Sequence, residues 1–76
     1  MMNCSRHIGT LNILRREPNS YYGNPRYFAE CNGVTFYTAV DSSLGYELPN
    51  HNGKRVAVII GLHYGRPTLD SIKSDA

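Results

Sequence analysis

The sequence predicts a mostly β protein of the α+β class. The expected fold is a small, five-stranded, strongly bent antiparallel sheet or a partly open barrel, SH3-like or OB-like, with one short helix between strands 3 and 4. Three features predict it. The pair Asn32-Gly33 separates two segments of alternating polarity, residues 54–62 form an apolar strand, and two leucines four residues apart between these segments indicate a helical turn. Closure into a barrel would also remove exposed strand edges.

The first strand is predicted at residues 8–16, with Leu11 and Ile13 facing the core. Residues 17–20 end it, because Pro18 lacks a backbone donor and Asn and Ser favour turns. We therefore expect an exposed loop to lead into the second strand.

That loop, residues 19–25, is predicted to be a structural turn with two exposed tyrosines, Tyr21 and Tyr22. Gly23 can adopt a positive φ angle, and Pro25 restricts the backbone as the chain enters the next strand. The loop should therefore present its tyrosines beside the second strand.

The turn at Asn32-Gly33 sets the register of a hairpin, because Asn-Gly readily adopts the φ angles of a type I′ turn. The predicted inward-facing pairs are Cys31 with Val34, Ala29 with Phe36 and Tyr27 with Thr38, followed by Val40. The predicted outward-facing pairs are Glu30 with Thr35, Phe28 with Tyr37 and Arg26 with Ala39. A shift of one residue would exchange the two faces, so the hydrophobic pattern supports this register.

A short helix is predicted within residues 41–48, with Asp41 as its N-cap and Leu44 and Leu48 on one face. Gly45 should weaken this helix and the following proline should end it. We expect one or two helical turns that cover an open end of the sheet.

The fourth strand, residues 54–62, is apolar on both faces and is predicted to be central. Residues 63–67 form a turn, and residues 68–72 form the last strand. No internal repeat or linker divides the chain, so residues 1–76 are predicted to be a single small domain, with residues 1–7 and 73–76 frayed.

The composition indicates a cytoplasmic protein that does not enter a membrane. The longest apolar run is far shorter than the roughly 20 residues that span a bilayer, and the first residues lack the apolar segment of a signal peptide. The net charge of +2 is mild for a dedicated DNA-binding protein. The two cysteines are expected to be free thiols, one of them buried.

One resemblance adds to this interpretation. The segments Gly9-Thr10-Leu11-x-Ile13, Asn19-Ser20-x-x-Gly23-Asn24-Pro25-Arg26-Tyr27, Gly33, Thr38, Asp41-Ser42, Asn50, Gly53 and Val56-x-Val58 resemble small proteins of unknown function encoded by bacteriophages of actinobacteria, mycobacteriophages especially. The similarity extends over about residues 8–72. It implies a phage product in the host bacterial cytoplasm, and it implies no functional residue.

Motifs for chemistry are weak. Cys4-x-x-His7 has the spacing of zinc ligands, with Cys31, His51 and His63 as further candidates, but real sites usually show two such pairs. No nucleophile motif or phosphate loop is present, since Gly61-x-x-x-Gly65 lacks the lysine and the helix start that phosphate binding needs. We expect no enzymatic activity, no metal and no cofactor.

A binding surface is the better-supported expectation. Its candidate residues are Tyr21, Tyr22, Arg26, Phe28, Tyr37, Tyr64 and Arg66. Aromatic rings between cations bind single-stranded nucleic acids on small barrels, and tyrosine is also enriched in protein interfaces. Two alternatives stay open: Phe28 and Tyr37 as a second half of the core, and Arg15-Arg16 as a solvated strand edge rather than a phosphate clamp.

The sequence therefore predicts a non-enzymatic binding module that docks a host or phage protein through a surface rich in Tyr and Arg. The alternative is a small-barrel protein that binds single-stranded nucleic acid. Self-association into a homo-oligomer is a further possibility, and no membrane partner is expected.

Overall fold

The structure, a computed structural model, describes residues 4–75 and is a closed five-stranded barrel with one short helix between its third and fourth strands. The elements are β1 (Ser5–Glu17), β2 (Arg26–Cys31), β3 (Val34–Thr38), α1 (Leu44–Glu47), a 3-10 turn (Leu48–His51), β4 (Arg55–His63) and β5 (Arg66–Ser74). The strands are ordered β1-β2-β3-β5-β4, and β4 closes the barrel by pairing with β1. The predicted small barrel is confirmed.

Strand β1 is long enough to pair with two different strands along its length. Its first half, from Ser5 to Thr10, pairs with β4, and its second half, from Leu11 to Glu17, pairs with β2. A register shift between Ile13 and Arg15 interrupts the pairing with β2, as a β-bulge does. Leu11 is buried and Ile13 packs against the core, as predicted.

The expected frayed ends are ordered where the structure describes them. Residues 5–7 pair with β4, and Lys73 and Ser74 also pair with β4, so β1 and β5 are both longer than predicted. Closure explains the extension of β1, because it pairs this strand with β4, which is distant in sequence. Strand β5 is longer because its hairpin with β4 continues as far as the Val56–Ser74 pair. Residues 1–3 and 76 lie outside the described part.

The β2–β3 hairpin has the predicted register. Cys31 lies opposite Val34, Ala29 opposite Phe36, Glu30 opposite Thr35 and Phe28 opposite Tyr37. Asn32 and Gly33 have φ angles of 54° and 80°, as a type I′ turn requires. The backbone N–H of Tyr27 donates to Thr38 Oγ1 at 3.0 Å, which extends the pairing beyond the ladder. The strand ends there, so Val40, predicted to face the core, is 39% exposed instead.

The sheet is mixed rather than antiparallel, and this corrects the prediction. Strands β3 and β5 pair in parallel at Tyr37–Thr68 and Thr38–Leu69, while the other four pairings are antiparallel. The chain leaves β3, crosses through α1 and β4, and returns beside β3 as β5. This order, with the helix between β3 and β4, is that of OB-type Greek-key barrels.

The helix begins later than predicted and has the expected length of one to two turns, counting the 3-10 turn that follows it. Ser43, rather than Asp41, is the N-cap residue; its side chain makes no capping bond, and the Ser42 hydroxyl accepts from the backbone N–H of Leu44 at 3.1 Å. Leu48 is fully buried and Leu44 packs against the core, so the predicted apolar face is confirmed. Gly45 is buried in contact with the β1–β2 loop; its role is close packing, not weakening.

The core lies inside the barrel. It comprises Leu11, Ala29, Cys31, Phe36, Leu48, Val56, Val58, Ile60 and Leu69. Strand β4, predicted to be central, contributes three of these side chains.

Both cysteines are free thiols, Cys4 exposed and Cys31 buried, and burial raises the pKa of the Cys31 thiol. Within residues 4–75, no helix has the length and apolar character to cross a bilayer.

Candidate binding surface

A row of four side chains crosses the outside of the barrel. Arg15 on β1 lies over the ring of Phe28 on β2, with its guanidinium carbon 4.4 Å from the ring centroid. The rings of Phe28 and Tyr37 are 4.7 Å apart and inclined by 42°. Arg66 on β5 lies over Tyr37 at 4.7 Å. We call Arg15, Phe28, Tyr37 and Arg66 the arginine–aromatic row.

The register of three strand pairs creates this row. Arg15 lies opposite Phe28, and Phe28 lies opposite Tyr37. The parallel pairing of β3 with β5 then brings Arg66 beside Tyr37. Both rings are half-buried and neither belongs to the core cluster, so they are not a second half of the core.

Arg15 and Arg16 are exposed and lie in the part of β1 that pairs with β2 but not with β4, as expected for a solvated strand edge. Each guanidinium also lies over a ring of β2, Arg15 over Phe28 and Arg16 over Tyr27 at 5.1 Å. Arg16 also donates to the backbone oxygen of Arg26 and to the side chain of Asn19. Arg15 pairs with Glu17, and this hydrogen bond raises the pKa of the Arg15 guanidinium.

A groove of about 540 Å³ lies beside one end of the row. The end of β3, residues 39–41 and the β4–β5 turn line it. Tyr37 and Arg66 belong to both the row and the groove, so the two features are continuous. Arg26 also lines the groove; its Nε atom is buried and has no hydrogen-bond partner among the described residues.

The β1–β2 loop presents two exposed tyrosines. Tyr21 is 96% exposed and Tyr22 is 67% exposed, with their rings 5.5 Å apart in an edge-to-face arrangement. The hydroxyl of Ser20, which is buried, accepts bonds from the backbone N–H groups of Tyr22 and Asn24, both at 3.2 Å. This local network shapes the loop and leaves both rings outside it.

The loop is also attached to the segment after β3. The side-chain amide of Asn24 donates to the carbonyl of Val40 at 3.1 Å, and the hydroxyl of Tyr46 lies 3.4 Å from the carbonyl of Gly23. These bonds join the loop to the elements that border the groove.

The β4–β5 turn carries Tyr64 at its tip. Tyr64 and Gly65 have φ angles of 53° and 79°, and Tyr64 is 99% exposed. A positive φ is unusual for a bulky residue, and a fully exposed ring gains no packing energy within the chain. The fold alone does not favour tyrosine at this position.

The structure thus places the seven predicted surface residues in three adjoining features. Tyr21 and Tyr22 lie on the β1–β2 loop, Phe28 and Tyr37 in the row, and Arg26, Tyr64 and Arg66 around the groove. The sequence also predicts that Arg15 extends the outward aromatic face, and Arg15 does lie over Phe28. It did not indicate that Val40, Asp41 and Leu62 line the groove.

Of the candidate metal ligands, Cys4 and His63 both contact the carboxylate of Asp70, while His7 bonds elsewhere. Cys4 Sγ lies 3.8 Å from Asp70 Oδ2, whereas His7 Nε2 lies 2.8 Å from Ser5 Oγ. His63 is held by Asp70 at 2.7 Å. In residues 4–75, no three His, Cys, Asp or Glu side chains are grouped to hold a metal ion.

Comparisons with known proteins add no family to this description. No protein-family model matches the chain, and no curated protein or solved structure is significantly similar to it.

Proposed function

We propose that the protein is a non-enzymatic binding module that holds a single-stranded nucleic acid across the arginine–aromatic row. The observation that carries the proposal is the continuous stack of Arg15, Phe28, Tyr37 and Arg66 on the outside of the barrel. Bases stack on aromatic rings whatever their sequence, and arginines supply both cation–π contacts and phosphate neutralisation.

The position of the row supports this proposal. OB-type barrels bind oligonucleotides on the face of strands 2 and 3, between the loops that follow strands 1 and 4. Here that face carries Phe28 and Tyr37, and the two loops carry Tyr21, Tyr22 and Tyr64. Since a fold does not determine a function, the argument depends on these side chains and not on the topology alone.

The charge distribution also favours a polyanion. Four arginines, Arg15, Arg16, Arg26 and Arg66, lie in or beside the surface, out of eight Lys and Arg residues in the chain. The nearby carboxylates are Glu17, which pairs with Arg15, Asp41 at the groove, and Glu30, which lies opposite Thr35 on the same hairpin face as Phe28 and Tyr37. Arginines therefore outnumber carboxylates at this surface.

Fluorescence anisotropy with a labelled oligothymidylate of about 12 nucleotides tests the proposal, since small barrels cover roughly 4–16 nucleotides. We expect micromolar binding that weakens with salt. If about three phosphates are neutralised, log Kd should rise by about 2 per tenfold increase in salt. Tyr37→Ala and Arg66→Met should weaken binding, whereas Arg6→Met, on the part of β1 that pairs with β4, should not. Equal weakening by all three variants would contradict the proposal.

A second candidate function uses the same surface to dock a host or phage protein. Protein docking is favoured by exposed tyrosine and apolar side chains, which are enriched in interface centres. Here these are Tyr21, Tyr22, Tyr64 and Leu62. With the resemblance to phage proteins, this function would place the protein in an infected bacterial cytoplasm. A pull-down from host lysate tests it: one protein retained at high salt, and lost with Tyr64→Ala, supports docking.

Self-association is a third outcome of the same experiments. If neither an oligonucleotide nor a lysate protein binds, and light scattering gives the mass of a dimer, the tyrosines are better explained as an interface between copies of the chain. A monomer under those conditions would contradict self-association as well.

A further inference from the structure

The groove beside the row has a chemistry of its own. Its lining includes two cations, Arg26 and Arg66, and three residues with apolar surface, Val40, Leu62 and Tyr64. Its volume of about 540 Å³ lies within the roughly 300–1,000 Å³ of typical small-molecule sites. A ligand with an anionic end and a flat apolar body would match both sets of residues.

The two arginines have no carboxylate partner. The ion pairs within residues 4–75 join Arg15 to Glu17, Arg55 to Asp75 and His63 to Asp70, and they include neither Arg26 nor Arg66. Asp41 also lines the groove, but its carboxylate oxygens lie more than 4.0 Å from the guanidinium nitrogens of Arg26 and of Arg66. Both guanidinium groups can therefore bind an external anion.

The Nε atom of Arg26 is buried and has no hydrogen-bond partner among the described residues, so no group of the chain competes for it. The guanidinium carbon of Arg66 lies 4.7 Å from the centroid of the Tyr37 ring, and this cation–π contact uses none of its N–H donors. Guanidinium groups bind phosphate oxygens through paired, charge-assisted hydrogen bonds.

The apolar residues of the lining fit a nucleobase. Tyr64 is fully exposed at a turn position that does not favour tyrosine, and Leu62 is 55% exposed beside it. A base placed against these side chains would bury surface that the isolated chain leaves in water.

We propose that the groove holds one nucleotide, with its phosphate on Arg26 and Arg66 and its base against Tyr64 and Leu62. This inference rests on the proposed function and adds to it. The strand is stacked along the row by Phe28 and Tyr37, and one of its nucleotides is held in a defined pocket at the end of β3. Such a pocket gives a small barrel a fixed point on a strand that stacking alone would let slide.

The test is an NMR titration of the ¹⁵N-labelled protein with three probes: thymidine 5′-monophosphate, thymidine and inorganic phosphate. We expect the monophosphate to shift the amide signals of Val40, Leu62 and Tyr64. Thymidine and phosphate should each bind at least about tenfold more weakly, since each contacts only the apolar residues or only the arginines. Phosphate binding as tight as the monophosphate would overturn the base-binding half of the inference.

Three variants complete the test. Arg26→Met and Arg66→Met should each reduce monophosphate affinity about tenfold or more, and Arg6→Met should leave it unchanged. Val40→Trp fills the groove from an exposed position, so it should block the nucleotide without removing a cation. Dispersed amide spectra establish that each variant is folded. If Arg26→Met does not fold, Val40→Trp and Arg66→Met still decide the matter.

The outcomes separate this inference from the function on which it rests. Oligothymidylate that binds the row while the monophosphate shifts no groove amide would reject the pocket and keep the proposed function. Absence of both interactions would reject both.

Discussion

Gly45 of α1 packs directly against the backbone carbonyl of Pro25, at the end of the β1–β2 loop. A Cβ atom at Gly45 would overlap the Pro25 carbonyl oxygen and would lie 2.9 Å from its carbon. The atoms in the way are backbone, so neither can move aside by a change of rotamer. This contact joins the helix to the loop that presents Tyr21 and Tyr22. Glycine is therefore required at position 45, although it is a poor helix former.

Gly45→Ala should therefore destabilise the protein, although alanine favours helices. Overpacking of this kind typically lowers the free energy of unfolding by about 1–3 kcal/mol. Chemical denaturation followed by circular dichroism measures the effect. Ser43→Ala is the matched control, because Ser43 is exposed and its side chain makes no capping bond; it should change stability by less than about 0.5 kcal/mol. A more stable Gly45→Ala variant would contradict the close contact.

Replacement of Tyr64 should increase the stability of the protein and weaken its binding to an oligonucleotide. Asn tolerates the positive φ angle better than Tyr, so Tyr64→Asn should raise the free energy of unfolding by about 0.5–1 kcal/mol. The same change should weaken oligonucleotide binding by about 1–3 kcal/mol if the ring stacks on a base. Tyr21→Asn is the control, since Tyr21 is equally exposed without a positive φ; it should give no gain in stability.

Phe28 and Tyr37 should be coupled in stability. Their rings are 4.7 Å apart on directly opposite positions of the hairpin. A double-mutant cycle of Phe28→Ala and Tyr37→Ala, measured by urea unfolding, should give an interaction energy of about 0.5–1.5 kcal/mol. The Glu30–Thr35 pair, next along the same hairpin face, provides a reference cycle without aromatic contact. Additive effects at Phe28 and Tyr37 would show that the rings do not support one another.

The two thiols should differ in reactivity. Cys4 is exposed and should react rapidly with N-ethylmaleimide at pH 8, whereas buried Cys31 should react only when the protein unfolds. Mass spectrometry of wild type and Cys4→Ser counts the labels. Rapid labelling of native Cys4→Ser would contradict the burial of Cys31.

The raised pKa of Cys31 also has a consequence for stability. Burial keeps this thiol protonated above its ordinary pKa of 9.0, so the unfolded chain loses the proton first. The contribution of Cys31 to stability is therefore complete below pH 9.0 and decreases as the pH rises above that value. Unfolding curves at increasing alkaline pH should show a steeper loss of stability for wild type than for Cys31→Ala.

The sequence alone determined the local elements. The Asn32-Gly33 turn and the alternation around it specify the register of β2 with β3, because a shift of one residue would expose the core face. The apolar residues of β4 likewise predict a buried strand, and the four-residue spacing of Leu44 and Leu48 predicts a helical turn with one buried face. Both patterns are local because each element must turn its own apolar side chains towards the core. From this register the outward position of Phe28 and Tyr37 followed.

Only the tertiary structure decided how these elements meet. The parallel pairing of β3 with β5 connects residues that are far apart in the chain, and the bulge in β1 shifts the register of β1 with β2. No hydrophobic periodicity in the sequence indicates either feature. They bring Arg15 and Arg66 to the two ends of the aromatic pair. Gly45 is the clearest case: its local propensity opposes a helix, and the close approach of Pro25 outweighs that propensity.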